Sequence, residues 1–504
     1  MKRITLITLS LVVTALLYAG CTDSFLQKSD SNSVNSDTFY QTEAQALASV
    51  NSAYAMLQAH GLWGRSIFFM LDFAGQEVGT TGNTQGPPLE LLNHNYGPSG
   101  NTHITTPWDN LYDMISKANS TILNVGQMED IDTAVRDRVV AEATFLRGLA
   151  YFYINAIYGG GPLRLVENLD ELHTPRASEE EIWTQVETDL SAAAGVLPQK
   201  GGYPAAQEGR ATSGAAYALL GKAHLYQEEY SDAETAFQQV IDQGVYDLER
   251  ASDYGGNTID NAIQAMRWNH HPDENNNKEA VFEVQFKSGT GFGWSTDGTG
   301  RNETSIRPQE YGVDGFAFYN AVPAQDLINA YDSDDPRLEA FYFGPNSTYR
   351  GQPYDFAGKG WAWKKYQKTD EAENSESDAN MDVIRYADVL LMMAEAKIMQ
   401  GGAKVAEGIE LINEIRRRAD PTGNILADRD TNAGQNQAFD WLVLERRLEL
   451  AGEQTRFFDM VRWGMAADEW DSFQAGKHEV FPIPQEEINA NTEMTDEEDQ
   501  NPGY

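Results

Sequence analysis

The sequence predicts a mainly α-helical fold. In it, tetratricopeptide-like helical hairpins form an α-α superhelix, and the other half of the chain is irregular and rich in loops. Three observations support this prediction. Several long segments repeat apolar residues at helical spacing, and one segment carries the residue pattern of a tetratricopeptide hairpin. Residues 250–380 are instead rich in Gly, Asn, Asp and aromatic residues. With 504 residues, the chain is long enough for a large core or for several packed sub-regions.

The N-terminus predicts a secretory signal that ends at the single cysteine of the sequence. Lys2 and Arg3 precede an apolar run diluted by Thr and Ser, and the small pair Ala19 and Gly20 comes directly before Cys21. A basic head, a short apolar run and a small-residue cleavage site are typical of exported proteins. The run is too short and too polar to predict a membrane-spanning helix.

Small residues directly before a cysteine resemble a bacterial lipoprotein signal, so we expect residues 1–20 to be removed and Cys21 to be lipidated. The pattern departs from such signals at one point, because Leu17 stands one position too early and Tyr18 takes its place. Residues 21–40 are rich in Ser, Asp and Asn. They are predicted to form the lipid anchor and a flexible tether to the folded part.

The remaining residues, 41–504, are predicted to form one domain whose first part, residues 41–249, is helical. In "SEEEIWTQVETDLSAAAGVLP", Ser178 and Glu181 have the spacing of a helix capping box, and apolar residues follow at helical spacing. The segments "TPWDNLYDMISKANSTILNV" and "VVAEATFLRGLAYFYINAIYG" show the same periodicity. The second of them runs into three consecutive glycines, which predict the end of its helix.

The most specific repeat signal is "YALLGKAHLYQEEYSDAETAFQQVI", residues 217–241. The offsets at which tetratricopeptide repeats place their large and small packing partners are occupied by Tyr217, Leu220, Gly221, Ala233 and Phe237. Gly221 is expected to let the second helix approach closely, and Phe237 to supply the large partner. His224 takes a slot that usually holds Tyr, so it is predicted to lie at the interface between the helices.

Two further helical hairpins are predicted in the C-terminal part, residues 381–504. The first spans residues 382–419 and turns at Gly401 and Gly402, and the second spans residues 434–465. Such hairpins stack because no single unit buries its own apolar face.

Candidate binding residues are expected on two loop-rich stretches. One is the insert at residues 250–380, which contains "GTGFGWSTDGTGRNE", and the other lies between Gly61 and Thr106. Long loops on a rigid scaffold are where binding residues concentrate.

The charge of the chain restricts the class of partner. Lys and Arg total 37 against 76 Asp and Glu, which gives a formal net charge of −39. A protein with this net charge repels phosphate backbones and anionic membrane surfaces. Nucleic acid is therefore not an expected partner. A neutral ligand fits this charge better than a polyanionic one.

The motif inventory favours binding over catalysis. "GTGFGW" has Trp294 where a dinucleotide-binding loop needs its third glycine, and no phosphate loop, HExxH zinc helix or nucleophile elbow is present. No cofactor or metal is therefore predicted. Calcium binding by oxygens of "DENNNKE" stays open and unsupported, because an acidic chain contains such clusters by chance. A facing pair of glycosidase carboxylates also stays open among 76 acidic residues.

Taken in order, several motifs resemble the SusD/RagB family of Bacteroidetes nutrient-binding lipoproteins. They are the lipoprotein cysteine followed by "TDSFL", then "WDNLYDMISKAN", "AEATFLRGLAYFYINAIYGGGPL", the repeat hairpin, "VIRYADVLLMMAEAKI", "INEIRRRA", "ERRLELAGEQTRFFDMVRWG" and "FPIPQEEI". The resemblance runs nearly end to end. It implies tetratricopeptide-like hairpins with an irregular ligand-binding half. It also implies an outer-membrane position as the lid of a SusC-like TonB-dependent transporter, and a glycan ligand captured without cleavage.

Carbohydrate recognition needs aromatic faces for sugar C–H groups and polar side chains for hydroxyls. Aromatic residues among glycines and loops are the candidates for the stacking surface, namely Trp294, Tyr96, Phe292, Trp63 and Tyr311. The polar candidates are Arg65, Asp72, Asn101 and Arg301.

The sequence therefore predicts a cell-surface, lipid-anchored protein of the outer membrane that binds an oligo- or polysaccharide and passes it to a transporter. A neutral glucan such as laminarin or starch is the expected ligand. Three alternatives stay open: a RagB-like peptide-binding lipoprotein, a helical adaptor that binds only protein, and a divergent glycoside hydrolase.

Overall fold

The computed structural model describes residues 39–84, 86–290, 302–345, 347–353, 360–367 and 376–504. Its α-helices in chain order are α1 (Glu43–Leu57), α2 (Ser66–Ala74), α3 (Pro87–Leu92), α4 (Thr102–Gly126), α5 (Thr133–Tyr158), α6 (Glu179–Ala194), α7 (Ser213–Tyr226), α8 (Tyr230–Asp242), α9 (Ile259–Trp268), α10 (Arg307–Tyr311), α11 (Gln325–Ala330), α12 (Pro336–Phe341), α13 (Tyr386–Gln400), α14 (Lys404–Ala419), α15 (Gln435–Leu450), α16 (Arg456–Arg462), α17 (Ala466–Glu469), α18 (Gln485–Ala490) and α19 (Asp496–Asp499). The strands are β1 (Val78–Thr80), β2 (Gly161–Pro162), β3 (Arg176–Ala177), β4 (Ala280–Val284), β5 (Ala321–Pro323), β6 (Tyr342–Phe343), β7 (Thr348–Tyr349), β8 (Gln352–Pro353), β9 (Ala362–Trp363) and β10 (Met381–Arg385). None of the helices in these described ranges is long and apolar enough to cross a bilayer.

The helices stack as antiparallel hairpins, which confirms the predicted mainly helical, tetratricopeptide-like fold. Helix α4 packs on α5, α5 on α6, α6 on α7 and α7 on α8. Helix α8 then packs on α13, so the stack continues across the whole loop-rich insert. The predicted capping box begins α6, where the Ser178 side chain accepts from the Glu181 amide and the Glu181 side chain accepts from the Ser178 amide.

The predicted tetratricopeptide hairpin is formed by α7 and α8. The Phe237 ring packs so closely over Gly221 that a Cβ atom added there would lie 2.6 Å from Phe237 Cε1. Ala233 and Phe237 are fully buried. His224 is half-buried at the edge of the interface, where its Nδ1 lies 2.6 Å from Glu229 Oε2.

Helices lie at both predicted C-terminal hairpins. Helices α13 and α14 pack against each other around a turn at Gly401 and Gly402, both with positive φ. In the second hairpin, α15 and α16 are joined by the short turn at 451–455 and contact each other where Arg446 Nε donates to Asp459 Oδ2 over 2.8 Å. Helix α15 also packs on α13 and α14, and α16 packs on α2, where the Phe457 backbone lies close to Gly75.

The loop-rich insert contains short helices and two-stranded antiparallel ribbons. Strand β4 pairs with β10, β6 with β9, and β7 with β8, while β5 leaves the insert to pair with β1. One continuous apolar core runs through the helices, and a second small cluster consists of Val313, Phe343, Tyr349 and Ala362.

A buried network of charges joins the insert to the C-terminal helices. Its members, all nearly inaccessible to solvent, are Arg337, Lys365, Arg385, Arg416 and Arg418 with Glu279, Asp335, Glu445, Glu449 and Glu453. We call this set the arginine network. Arg337 Nη1 lies 2.6 Å from Glu445 Oε1, and Arg385 Nη2 lies 2.9 Å from Glu449 Oε1. Burial alone would raise the pKa of Glu449, but Arg418, Arg385 and Arg337 hold it at about 2, below the usual 4.5.

Replacing Gly221 by Val is expected to destabilise the protein by about 1–3 kcal/mol, because the new side chain overlaps the Phe237 ring in a packed interface. Urea unfolding measures the change. Gly434→Ala is the control, since a Cβ atom there meets nothing within 4 Å. Equal stability of the two variants would contradict the close helix approach.

Replacing Glu449 by Gln is expected to cost about 3–5 kcal/mol at pH 7, because it leaves buried arginines without their counter-charge. The folded pKa of Glu449 lies below its unfolded value. Its contribution is therefore fully present above about pH 4.5 and is lost as the pH falls toward 2.

The difference between parent and Glu449→Gln in unfolding free energy should accordingly shrink on acidification. The exposed carboxylate of Glu410, which pairs with Arg417, supplies the control variant Glu410→Gln, expected to change stability by about 0.5 kcal/mol or less. A pH-independent difference for Glu449→Gln would refute the assigned ionisation.

Candidate functional site

An exposed aromatic loop is held in place by the pairing of β1 with β5. The register Thr80 to Ala321 brings the turn after β1 beside residues 316–320. Thr81 Oγ1 donates to the Tyr319 carbonyl over 2.6 Å, and Asn83 Nδ2 donates to the Phe318 carbonyl over 2.8 Å. Side chains of one turn thus fix the backbone of the other loop.

The same loop is braced from its other side. The Phe318 amide donates to the Gln309 carbonyl over 2.8 Å, and the Thr84 hydroxyl donates to the Asn320 carbonyl. Tyr319 has φ of +54°, a left-handed conformation that is uncommon for an aromatic residue and is often found at functional sites. In this conformation of the loop, Phe316 has 42% and Phe318 has 46% of its surface exposed.

A tight hairpin completes the surface. Strands β7 and β8 are joined by Arg350 and Gly351, which both have positive φ, as the favoured two-residue hairpin turn requires. The Phe316 ring contacts Tyr349 at a centroid distance of 5.2 Å, and the Arg350 guanidinium lies over both rings at 5.1 Å. We call Phe316, Phe318 and Arg350 the aromatic loop surface, which the buried Tyr349 supports from below.

A groove of about 520 Å³ adjoins this surface, with Arg350 contributing to both. Its apolar wall includes Phe343 and the half-buried Trp361, whose ring presses on Gly344. Its polar lining includes Arg267, Ser333, Glu339, Ser347, Thr348 and Lys364. Burial, with Arg267 nearby, lowers the pKa of Lys364 to about 8, and Lys364 Nζ donates to the Glu339 carbonyl over 2.7 Å. The groove therefore combines ring faces with hydroxyl and cationic donors, which is the chemistry that binds a polyhydroxylated ligand.

The predicted stacking residues within the described ranges lie inside the fold. Trp63, Tyr96 and Tyr311 are 2%, 6% and 1% exposed, so the expectation that they present open faces to a ligand is corrected. Trp294 and Phe292, together with the polar candidate Arg301, lie outside the described residues.

Each of the three buried rings has a clear packing partner. Trp63 sits against Tyr153 because the flanking Gly61 lets the loop press onto α4, where an added Cβ atom would lie 2.6 Å from the Thr106 carbonyl oxygen. The Tyr96 ring stacks on Phe481 at 5.1 Å and is covered by the C-terminal segment. At Trp63 the nearby glycine therefore marks a close approach of the backbone and not exposure of the ring.

Tyr311 and the polar candidates Asp72 and Arg65 belong to one set of contacts, in which Tyr311 and Asp72 are buried and Arg65 is half-buried. The Tyr311 hydroxyl donates to Asp72 Oδ2 over 3.0 Å, and Arg307 lies 3.2 Å from the same oxygen. Burial raises the pKa of Asp72, and Arg307 opposes that shift. Arg65 Nε donates to Glu310 Oε1 over 2.7 Å. These contacts hold α10 against α2, which is a structural role.

Asn101 also has a structural role. Its side chain accepts from the His103 amide and thereby caps the N-terminus of α4, while its Nδ2 donates to Glu90 Oε2 over 2.9 Å. It is 1% exposed, so the expectation that it meets a ligand is corrected.

Phe316 and Phe318 were missed by the sequence reasoning. In the segment "GVDGFAFYNAV" the two rings belong to a short apolar run, which does not by itself indicate exposure. The signal that could have found them is the one that singled out Trp294, namely aromatic residues close to glycines in a loop-rich stretch.

The calcium candidate noted in the sequence lies among the described residues. In the calcium candidate "DENNNKE", Asn275 Oδ1, Asn276 Oδ1 and Asn277 Oδ1 each accept hydrogen bonds from the protein, which favours a structural role. Among the described residues, Glu187, His224 and Glu229 bring three potential ligand atoms within 4.8 Å of one another, on the flank of α6–α8.

Two family models match the chain. One, described as "SusD family", matches residues 338–480, and the other, "Starch-binding associating with outer membrane", matches residues 24–225. SusD-like protein P2 of Formosa agariphila is 25% identical, over 98% of this chain and 99% of its own length. The chain belongs to the SusD/RagB family. The resemblance seen in the sequence is thus confirmed.

Solved structures of the SusD/RagB family share the fold. A SusD superfamily protein from Bacteroides vulgatus matches with a TM-score of 0.76 and 26% identity, over 93% of this chain and all of its own. A structure titled "Laminarin binding SusD-like protein" matches with a TM-score of 0.74 and 27% identity, over 92% of this chain and all of its own.

The difference in burial predicts a large loss of stability for one aromatic substitution and a small change for another. Trp63→Ala is expected to lower the unfolding free energy by about 3–5 kcal/mol, because it empties a filled core position. Phe318→Ser, at a site that is 46% exposed, is expected to change it by about 0.5 kcal/mol or less. Chemical denaturation compares the two, and similar losses would show that the assignment of core and surface is wrong.

Proposed function

We propose that this chain is a glycan-binding lipoprotein of the outer membrane. In this proposal it is anchored through Cys21, captures an oligo- or polysaccharide at the aromatic loop surface, and delivers it uncleaved to a SusC-like TonB-dependent transporter. The observation that carries the glycan-binding step is the exposure of Phe316 and Phe318 on a loop that the Thr81, Asn83 and Thr84 side chains brace. Anchoring and delivery are supported by membership of the SusD/RagB family.

The physical argument for a glycan rests on preorganisation. A ring that is already fixed and exposed loses little conformational freedom when a sugar stacks on it, so more of the contact energy appears as affinity. The adjoining groove supplies hydroxyl and guanidinium donors for the sugar hydroxyls. The rings and the groove adjoin each other, because Arg350 contacts the Phe316 ring and also lines the groove.

A neutral glucan is the proposed ligand class. The net charge of −39 disfavours polyanions in general, and one structural neighbour of 27% identity is titled as laminarin-binding. Trp294, Phe292 and Arg301 remain proposed contributors to the binding surface.

The test is the affinity of purified protein for laminarin and for starch, measured by affinity electrophoresis and calorimetry. Phe316→Ser and Phe318→Ser are each expected to weaken binding about tenfold, because each removes ~1.5 kcal/mol of apolar contact. Leu172→Ser is the matched control, since Leu172 is an exposed apolar residue, 80% accessible, that lies outside the aromatic loop surface.

Other outcomes separate the alternatives. Binding of oligopeptides but not of glycans would replace the proposal with a RagB-like peptide carrier. Release of reducing sugar by the purified protein would contradict the non-catalytic part. Glycan binding that is unchanged in both phenylalanine variants would leave the glycan and remove the aromatic loop surface as its site.

A further inference from the structure

A second cavity, of about 230 Å³, lies on the helical side of the molecule. It is enclosed between residues 200–212, which lead into α7, and strand β4. Its walls include the Tyr203 ring and Phe282, and none of its lining residues belongs to the aromatic loop surface or the adjoining groove.

Four charged groups line this cavity, Lys200, Glu208, Arg210 and Glu283; Glu208 is exposed, and Arg210 is paired with Glu142. Lys200 Nζ donates to the carbonyls of Asn277 and Ala280, the second over 2.6 Å, which uses two of its three N–H groups. Within the described part of the chain, no carboxylate lies within ion-pair distance of Lys200. Burial lowers the pKa of this ammonium group to about 8.

Glu283 lies on β4 and is 5% exposed. Its Oε2 accepts from the Asn276 amide over 3.0 Å and from Asn380 Nδ2 over 2.8 Å. Its Oε1 has no donor among the residues whose positions are described, and it is not sealed from the cavity. Burial, with Asp382 beside it, raises the pKa of this carboxyl group.

These two groups leave hydrogen-bonding capacity that the protein does not use. Lys200 is half-buried, with its ammonium group 5.4 Å from the centre of the Tyr246 ring, and Glu283 is buried. Charged groups without ion-pair partners are costly to desolvate, and such groups in a cavity are associated with ligand sites. The neighbouring Arg210 is different, because Glu142 neutralises it at 2.6 Å.

The lining restricts the ligand chemistry. An anion would face Glu283 and Glu208, and a cation would face Lys200 and Arg210. A neutral polyol satisfies both signs, since each hydroxyl both donates and accepts. The cavity is smaller than the ~300–1,000 Å³ of sites for drug-sized ligands, which limits it to a single ring.

We propose that this cavity binds one neutral hexose ring, with Glu283 accepting from and Lys200 donating to its hydroxyls. The site would be a second saccharide site, separate from the aromatic loop surface, and its existence does not depend on the function proposed for that surface.

Isothermal titration of the purified protein with D-glucose, D-galactose and D-mannose tests the proposal. At least one hexose is expected to bind, and Glu283→Gln is expected to weaken it about tenfold, because it replaces an oxygen that accepts from a sugar hydroxyl with an amide group that donates. Ala205→Trp is expected to have a similar effect by blocking the mouth of the cavity, because Ala205 is exposed and lines it.

Ala205→Trp changes no buried side chain, so a loss of hexose binding in this variant is not explained by misfolding. Its matched control is Ala206→Trp, an exposed neighbour that does not line the cavity and is expected to bind like the parent. Failure of all three hexoses to bind, or binding that is unchanged in both Glu283→Gln and Ala205→Trp, would overturn the proposal.

The two saccharide sites are distinguished by crossing the variants. The Phe316→Ser/Phe318→Ser double variant is expected to keep hexose binding, and Ala205→Trp is expected to keep laminarin binding. Loss of hexose binding in the double variant, with Ala205→Trp unaffected, would place the hexose at the aromatic loop surface and overturn the second site.

Discussion

The buried pairing of arginines with glutamates is the constraint on which the arrangement of this molecule depends. Arg337 belongs to the loop-rich insert, Arg385 to β10 and Arg418 to α14, yet all three converge on Glu449 of α15. Ions removed from water are tolerated only where counter-charges sit at hydrogen-bond distance, so small displacements are costly. The network therefore fixes the insert on the helices with a precision that apolar packing of short ribbons would not provide.

That fixed position is what makes an exposed loop useful for recognition. Residues 313–320 rest on the small cluster of Val313, Phe343, Tyr349 and Ala362, which is separate from the main core. Below it, Arg307 and Asp72 join α10 to α2. Phe316 and Phe318 thus rest on the small cluster, and the contacts between α10 and α2 lie beneath that cluster.

Helices were predictable from the sequence because their signals are local. The capping box at Ser178 and the Gly221–Phe237 contact follow from residues close in the chain. Exposure in the insert was not predictable in this way. Whether Trp63 or Phe316 faces solvent depends on partners such as Tyr153 and Tyr349, which are far away in the sequence although they are in contact in the fold. Glycine neighbours indicated close backbone contact at Gly61 and an open turn at Gly315, and the sequence does not separate the two cases.

The order of synthesis gives the arginine network one more consequence. Arg337 leaves the ribosome 108 residues before Glu445, and Arg385 leaves it 64 residues before Glu449. Arg337 has Asp335 beside it from the start, and the insert already meets β1 and α2, but Arg385 and Arg418 lack Glu449 until α15 is present. The insert therefore gains its full set of attachments only after the C-terminal helices have been made, and the final orientation of its aromatic loop depends on the last part of the chain.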